Sequence, residues 1–228
     1  WKDFRFNIVD TPGHADFGGE VERILDMVNG VVLLVDSSEG AMPQTKFVLT
    51  KALAQGLKPF VVINKVDRPD ARCAEVLDEV CELFLALNAT DEQLDFPVLY
   101  ASSREGWAAT SLDAPRENLE PLFEAIERHF PCPKVDANAP FAMLATILQY
   151  DNFLGRILTG LVHSGTATVN MTAKALMPDG AVREQGRLTK LLTFRGLTRV
   201  PVDKVEAGDI IAIAGLTELL CIVRVERT

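Results

Sequence analysis

Asp10-Thr11-Pro12-Gly13-His14-Ala15-Asp16-Phe17 stands between two patterned stretches of the chain. Before it, Phe4, Phe6 and Ile8 alternate, which predicts a strand over residues 4–9. After it a helical pattern begins. An Asp at the C-terminal end of a strand, followed by a Pro-Gly turn, is a common way to build a phosphate site. The Asp10 carboxylate can hold Mg²⁺ through water. Gly13 has no Cβ, so its N–H can approach a phosphate oxygen closely. His14 can reach a water in front of that phosphate. Asp-x-x-Gly by itself recurs by chance in many loops; the eight-residue run at a strand end is far more specific.

Working outward, residues 30–36 form a continuous Val/Leu run, read as a buried parallel strand. Residues 59–63 repeat that pattern, and 98–101 give a third strand. Between and after them lie helical periods over 44–55 (Phe47, Val48, Ala52 and Leu53 inward), 75–87 (Val76, Val80, Leu83, Phe84, Leu87) and 117–130 (Leu119, Leu122, Phe123, Ile126). Alternating strands and helices predict an α/β fold with a parallel sheet and flanking helices over residues 1–130. Pro131-Cys132-Pro133 and the run to Pro140 read as a stiff linker, 131–140. Beyond it the hydrophobic period falls to two. Strands are expected near 141–149, 155–163, 167–169, 174–177, 187–194 and 209–214, with turns such as Pro178-Asp179-Gly180, which suggests a small closed all-β barrel over 141–228.

The Asp10–Phe17 run resembles the switch II box of translational GTPases. In such proteins a second box selects the base, and here the strand at 59–63 ends in Asn64-Lys65-Val66-Asp67. The resemblance implies that the Asp67 carboxylate accepts two hydrogen bonds from the guanine edge. Adenine offers no matching donor pair, and unpaired buried polar groups reject the wrong base. Lys65 would lie over the base plane and Asn64 would brace the phosphate loop. Taken alone, the segment is equally a polar strand end turning at Arg68-Pro69-Asp70; the preceding run tips the balance. Ser102-Ser103 follows the strand at 98–101 where GTPases commonly carry Ser-Ala, with a backbone N–H for the guanine oxygen. A backbone donor tolerates Ser103 in place of Ala.

Longer stretches resemble one family, TypA/BipA, a ribosome-associated group of translational GTPases. They are Gly18-Gly19-Glu20-Val21-Glu22-Arg23, Gly40-Ala41-Met42-Pro43-Gln44-Thr45, Gly56-Leu57-Lys58-Pro59, Ala89-Thr90-Asp91-Glu92-Gln93-Leu94-Asp95-Phe96-Pro97 and residues 205–215. The resemblance runs from about residue 3 to 217; the tail 218–228 departs from it. It implies a P-loop-NTPase-type G-domain, incomplete here, followed by a translation-factor-type barrel. It also implies GTP or GDP with Mg²⁺ at Asp10, Thr11, Pro12, Gly13, His14, Asn64, Lys65, Val66, Asp67, Ser102 and Ser103. The ribosome would be the partner, through its RNA and proteins, with Arg195 and Arg199 in a basic barrel loop facing RNA; no membrane and no DNA are implied. His14 would orient the attacking water. No Gly-x-x-x-x-Gly-Lys-Ser/Thr occurs in the 228 residues. The chain therefore reads as an internal piece of a longer protein, expected to hold no nucleotide tightly by itself.

Composition agrees with a cytoplasmic protein. No apolar run approaches the ~20 residues of a membrane span. Cys73, Cys81, Cys132 and Cys221 lack Cys-x-x-Cys spacing and nearby His, which argues against metal and disulfide roles. Residues 1–130 hold 12 Lys and Arg against 23 Asp and Glu; residues 131–228 hold 11 against 9. An acidic first half and a mildly basic second half exclude a general nucleic-acid binder and permit local RNA contact. Asp36 ends a strand beside the expected site, as an accessory. Asp16 would cap the following helix, His129 would meet the carbonyls of its own helix end, and His163 would be barrel surface. Two other readings stay open: a different translational GTPase of elongation-factor-G or ribosome-protection type, and a non-catalytic module that docks through its barrel.

Overall fold

The computed structural model describes residues 1–11, 18–218 and 223–228. It divides into two compact units, one built mainly from residues 28–132 and the other mainly from 133–228. A helix α1 (Gly18–Leu25) precedes the first sheet.

The first unit is a sheet between helices. Strands β1 (Gly30–Asp36), β2 (Lys58–Asn64) and β3 (Val98–Ser102) run parallel, and the short β4 (Trp107–Ala109) turns back along β3. Helices α2 (Pro43–Ala54), α3 (Cys73–Ala86), the single turn α4 (Asp91–Leu94) and α5 (Glu120–His129) complete it. Alternate residues of β2 point to opposite faces. Val61 and Ile63 join Leu49, Leu53, Val76, Val80 and Phe84 on the α2/α3 side, while Phe60 and Val62 meet Leu119, Leu122 and Ile126 of the α5 side. Both faces being covered is why β2 reads as an unbroken apolar run. The register sets Asp36 of β1 beside Asn64 of β2, so the polar residues of both strands emerge together at the C-terminal edge.

The segment Ala89–Pro97 has a structural task. Thr90 and Gln93 form a reciprocal capping box, and the buried Gln93 amide donates to the carbonyls of Leu53 (3.1 Å) and Leu57 (3.3 Å). It thus ties the single turn α4 to the C-terminal end of α2 and to the residue that leads into β2.

Three expectations for residues 1–130 need correction. Residues 4–9 are not a strand. No described strand lies beside β1 on its free side, so the segment has no ladder to join, and Ile8 is 82% exposed. The aromatic rings of Trp1 and Phe6 instead pack on Phe123 of α5, at 5.3 and 6.1 Å between centroids. On α2 the buried stripe is Leu49, Ala52 and Leu53; Phe47 is exposed and Val48 half-buried, so the buried face begins at Leu49 rather than at Phe47. His129 reaches the Pro59 carbonyl on β2 at 2.8 Å rather than its own helix end.

The second unit wraps β5 (Ala142–Asp151), β6 (Gly155–Ser164), β8 (Thr172–Leu176), β9 (Val182–Arg187), β10 (Lys190–Arg195), β11 (Thr198–Val202), β13 (Ile210–Ala214) and β14 (Val223–Arg227) around one core, with β7 (Thr166–Thr168) paired to β12 (Lys204–Glu206). Phe141, Met143, Leu158, Leu191, Ile211, Ile213 and Val225 lie in that core. Gly160 of β6 crosses so close to β5 that a Cβ would sit 1.9 Å from the Leu144 carbonyl oxygen. The expected single strand 187–194 is two strands, because the chain leaves β9 at Leu188 and Thr189 to bond Met171 and Ala214. The unread tail supplies β14, between β5 and β8, with Val223 and Val225 buried and Arg224 outward.

Candidate functional site

The C-terminal ends of β1, β2 and β3 meet at Asp36, Asn64 and Ser102. There the Asn64 side-chain oxygen accepts two bonds from Ser103, one from its N–H (3.0 Å) and one from its hydroxyl (2.9 Å). The two sequence boxes, 39 residues apart in the chain, are therefore fastened to each other. Val66 N–H donates to the Ala101 carbonyl at 3.2 Å, which ties the loop after β2 to β3. Ser102 is buried; its hydroxyl accepts from the Glu105 N–H at 3.2 Å. The Ser102 hydroxyl beside Asp67 holds that carboxyl below its ordinary value, with Arg104 and Arg68 adding to the pull. Asp67 thus stays an ionised acceptor throughout the neutral range.

Lys65 carries a positive φ of 63°, a region that costs a non-glycine residue about 1–2 kcal/mol. Ser37, fully buried at the end of β1, donates from its hydroxyl to the Lys65 carbonyl at 2.9 Å and holds that turn. The Lys65 ammonium lies 2.5 Å from the Asp36 carboxylate. Burial pushes the Asp36 carboxyl up, but Lys65, the Ser38 N–H and hydroxyl, and the Glu39 N–H together pull it well below the usual carboxylate range. Arg68 joins the group through Asp36 (3.4 Å) and Ser38 (3.0 Å). Ser37 was not singled out in the sequence; the only signal was its place after a buried strand. Asp36, expected as an accessory, anchors the Lys65 side chain.

Of the other expected residues, Asp10 is exposed and Thr11 half-buried, in chain without regular structure. Asp10 groups with the second unit and Thr11 with the first. Pro12, Gly13, His14 and Asp16 lie outside the described residues. Arg195 is exposed at the end of β10 and Arg199 half-buried on β11. His163 is exposed on β6.

The family model of the elongation factor Tu GTP binding domain matches residues 1–132, and that of elongation factor Tu domain 2 matches 155–224. Curated relatives include proteins called large ribosomal subunit assembly factor BipA. This chain is 50% identical to the Synechocystis protein over 96% of its own length and 36% of the relative's. For the Haemophilus influenzae protein the values are 52%, 96% and 35%, and for the Bacillus subtilis protein 49%, 96% and 36%. The chain thus spans about a third of the length of these relatives. An α/β unit and a barrel, matched in order by both family models and by these relatives, place the chain in the translational GTPases with an elongation factor Tu-type GTP-binding domain, in the BipA-like branch.

Proposed function

We propose that this chain carries the base-selecting and RNA-facing parts of a GTPase that acts on the ribosome in the cytoplasm, in translation, ribosome assembly or stress adaptation. The observation that supports it most is the fastening of Asn64 to Ser103 with the ionised Asp67 alongside. That arrangement presents a fixed pair-acceptor at a strand end, where open parallel sheets bind ligands. In this reading residues 1–130 are the G-domain, 131–140 the linker and 141–228 the barrel. Asp67 accepts the two guanine N–H groups, Lys65 covers the base, Val66 shapes the loop between them, and the Ser102-Ser103 backbone serves the guanine oxygen. Lys65 leaves Asp36 or shares it when the base arrives.

The family's cation is Mg²⁺. Among the described residues no three His, Cys, Asp or Glu side chains converge to hold a metal. Asp10 is a lone exposed carboxylate, which suits Mg²⁺, since that ion takes one or two carboxylates and fills its shell with water and phosphate oxygens. When bound it would neutralise charge on the phosphates. Asp10 would hold it through water, Thr11 and Pro12 would shape the turn, and the Gly13 N–H would meet the γ-phosphate. His14 would orient the attacking water. Water adds to the γ-phosphorus, its bond to the bridging oxygen breaks, and GDP and phosphate leave. Positioning and charge stabilisation carry most of this catalysis, so His14 is not a strong base. Loss of the γ-phosphate contact would be the signal that ends the GTP state. The barrel offers Arg195 and Arg199 to ribosomal RNA. No described helix is long and apolar enough to cross a membrane.

The 228 residues contain no phosphate-cradling loop, so by themselves they should bind GTP no better than millimolar, on the order of −4 kcal/mol, and not hydrolyse it. Isothermal titration of residues 1–228 with Mg²⁺ and GTP tests this, and a micromolar dissociation constant would contradict it. In the complete gene product, His14→Ala should keep GTP binding and lose most ribosome-stimulated hydrolysis. Wild-type turnover would remove His14 from the reaction.

A further inference from the structure

Two hairpin tips of the barrel expose apolar side chains among arginines. The β5–β6 tip carries Tyr150, 76% exposed, and Phe153, 97% exposed; the β10–β11 tip carries Leu197, fully exposed. The β5–β6 tip is fixed by its own bonds. The Asp151 carboxylate accepts from the N–H groups of Phe153 (2.8 Å) and Leu154 (2.9 Å), which fixes the turn and turns the Phe153 ring outward. Below the tips, Leu154 and Phe194 pack on the same three buried residues, Ile157, Leu192 and Ala212. Arg199 of β11 donates to the Gln149 side chain of β5, so the hairpins are also fastened by a polar bond. Arg156 stands opposite Tyr150 in the β5–β6 ladder, and Arg195 sits at the root of the second tip.

A fully exposed phenylalanine gains nothing from the fold that displays it. Here it stands on a rigid turn, flanked by three arginines and one acid. A protein partner would be expected to find a contiguous apolar core at least several residues wide; this surface has single rings separated by positive charge. Bases in a duplex have both faces covered, whereas an unpaired base has a free π-face that stacks on exposed aromatics beside cationic groups. We infer that the two tips form a stacking platform for an unpaired base of RNA, with Phe153 under the base, Tyr150 beside it, and Arg195 and Arg199 on the neighbouring phosphates. This rests on the reading of Arg195 and Arg199 as RNA contacts and adds what kind of RNA they meet: a loop, bulge or single strand.

The test uses the complete gene product and an RNA hairpin with 2-aminopurine in its loop, against a fully paired duplex of the same length. The wild type should quench the loop fluorophore and prefer the hairpin. Phe153→Leu keeps the apolar bulk and removes the ring. It should weaken hairpin binding about tenfold while leaving the slope of log affinity against log salt unchanged. Phe153→Trp should restore both affinity and quenching. Arg195→Glu with Arg199→Glu should weaken binding and flatten that slope. If the arginine variant weakens binding and Phe153→Leu does not, the stacking platform is wrong and the tip is left as a protein-docking residue. If the wild type binds neither RNA and the arginine variant changes nothing, the RNA reading itself falls.

Discussion

The α/β unit and the barrel present their polar residues in different ways. In the α/β unit, the informative residues stand at the ends of parallel strands and bind one another: Asn64 to Ser103, the Ser37 hydroxyl to the Lys65 carbonyl, and the Lys65 ammonium to Asp36. In the barrel, neighbouring strands use up the backbone bonds and the core is continuous, so exposed side chains such as Phe153 and Arg195 are held by tight turns. The two units therefore differ in how openly a sequence displays its clustered polar residues. Strand-end sites in a parallel sheet fall in short contiguous runs. Barrel surfaces are assembled from hairpin tips far apart in the chain, and no motif announces them.

Each unit should respond separately when one core is disturbed at a time. Phe84→Ala removes a fully buried ring of α3 and should destabilise the α/β unit by about 3–5 kcal/mol. Amide exchange should quicken at Val61 and Ile63 and stay slow at Ile211 and Ile213; equal quickening in both would deny that each unit owns its core. Gly160→Ala is the reverse case. Its new Cβ meets backbone, not a movable side chain, so a cost of roughly 1–3 kcal/mol should fall on the barrel. Circular dichroism with exchange at Ile211 checks it, and unchanged protection there would mean that β5 and β6 can part without loss.

Ser37→Ala acts at the strand-end site alone. It removes the donor to the Lys65 carbonyl and leaves a left-handed turn without its brace, a loss of about 1 kcal/mol in stability. Ser37→Thr should recover most of it. A stable Ser37→Ala chain with unchanged exchange at Lys65 would show the turn to be held otherwise. The smallest effect is acid sensitivity. The Asp36 carboxyl lies below its ordinary value of 3.8 in the fold, so its contribution is present above about pH 4 and is lost as pH falls further. Asp36→Asn should therefore flatten the stability profile below pH 4 and leave its shape unchanged above pH 6. An unaltered acid limb would mean that the Lys65 pair adds nothing to stability.

Much of the fold was legible because periodicity reports burial. The three parallel strands lie within a few residues of their expected places, since each is an apolar run covered on both faces. The segment 4–9 was misread for a physical reason: alternation shows a capacity to pair, while pairing needs a neighbour, and β1 has none described on that side. Leu188 and Thr189 were hidden inside an apparent single strand because a strand change leaves apolar spacing intact. At the site, Asn64, Lys65, Asp67 and Ser103 were legible as motif. Ser37 was not, because a serine after a strand is ordinary until its hydroxyl is seen to hold the turn of a residue 28 positions away. The β14 strand was passed over as an atypical tail, although Val223 and Val225 alternate with Arg224 and Glu226 as a half-buried strand should.

Base preference reports on the strand-end site without an intermediary. In the complete gene product, equilibrium binding of GTP and of xanthosine triphosphate should be measured for the wild type and for Asp67→Asn. An amide at position 67 offers a donor where guanine needs an acceptor. GTP affinity should fall on the order of 10³-fold, the loss of two hydrogen bonds to a charged group, while xanthosine triphosphate affinity rises. Unchanged GTP affinity in the Asp67→Asn protein would contradict the assignment of the strand-end site to guanine.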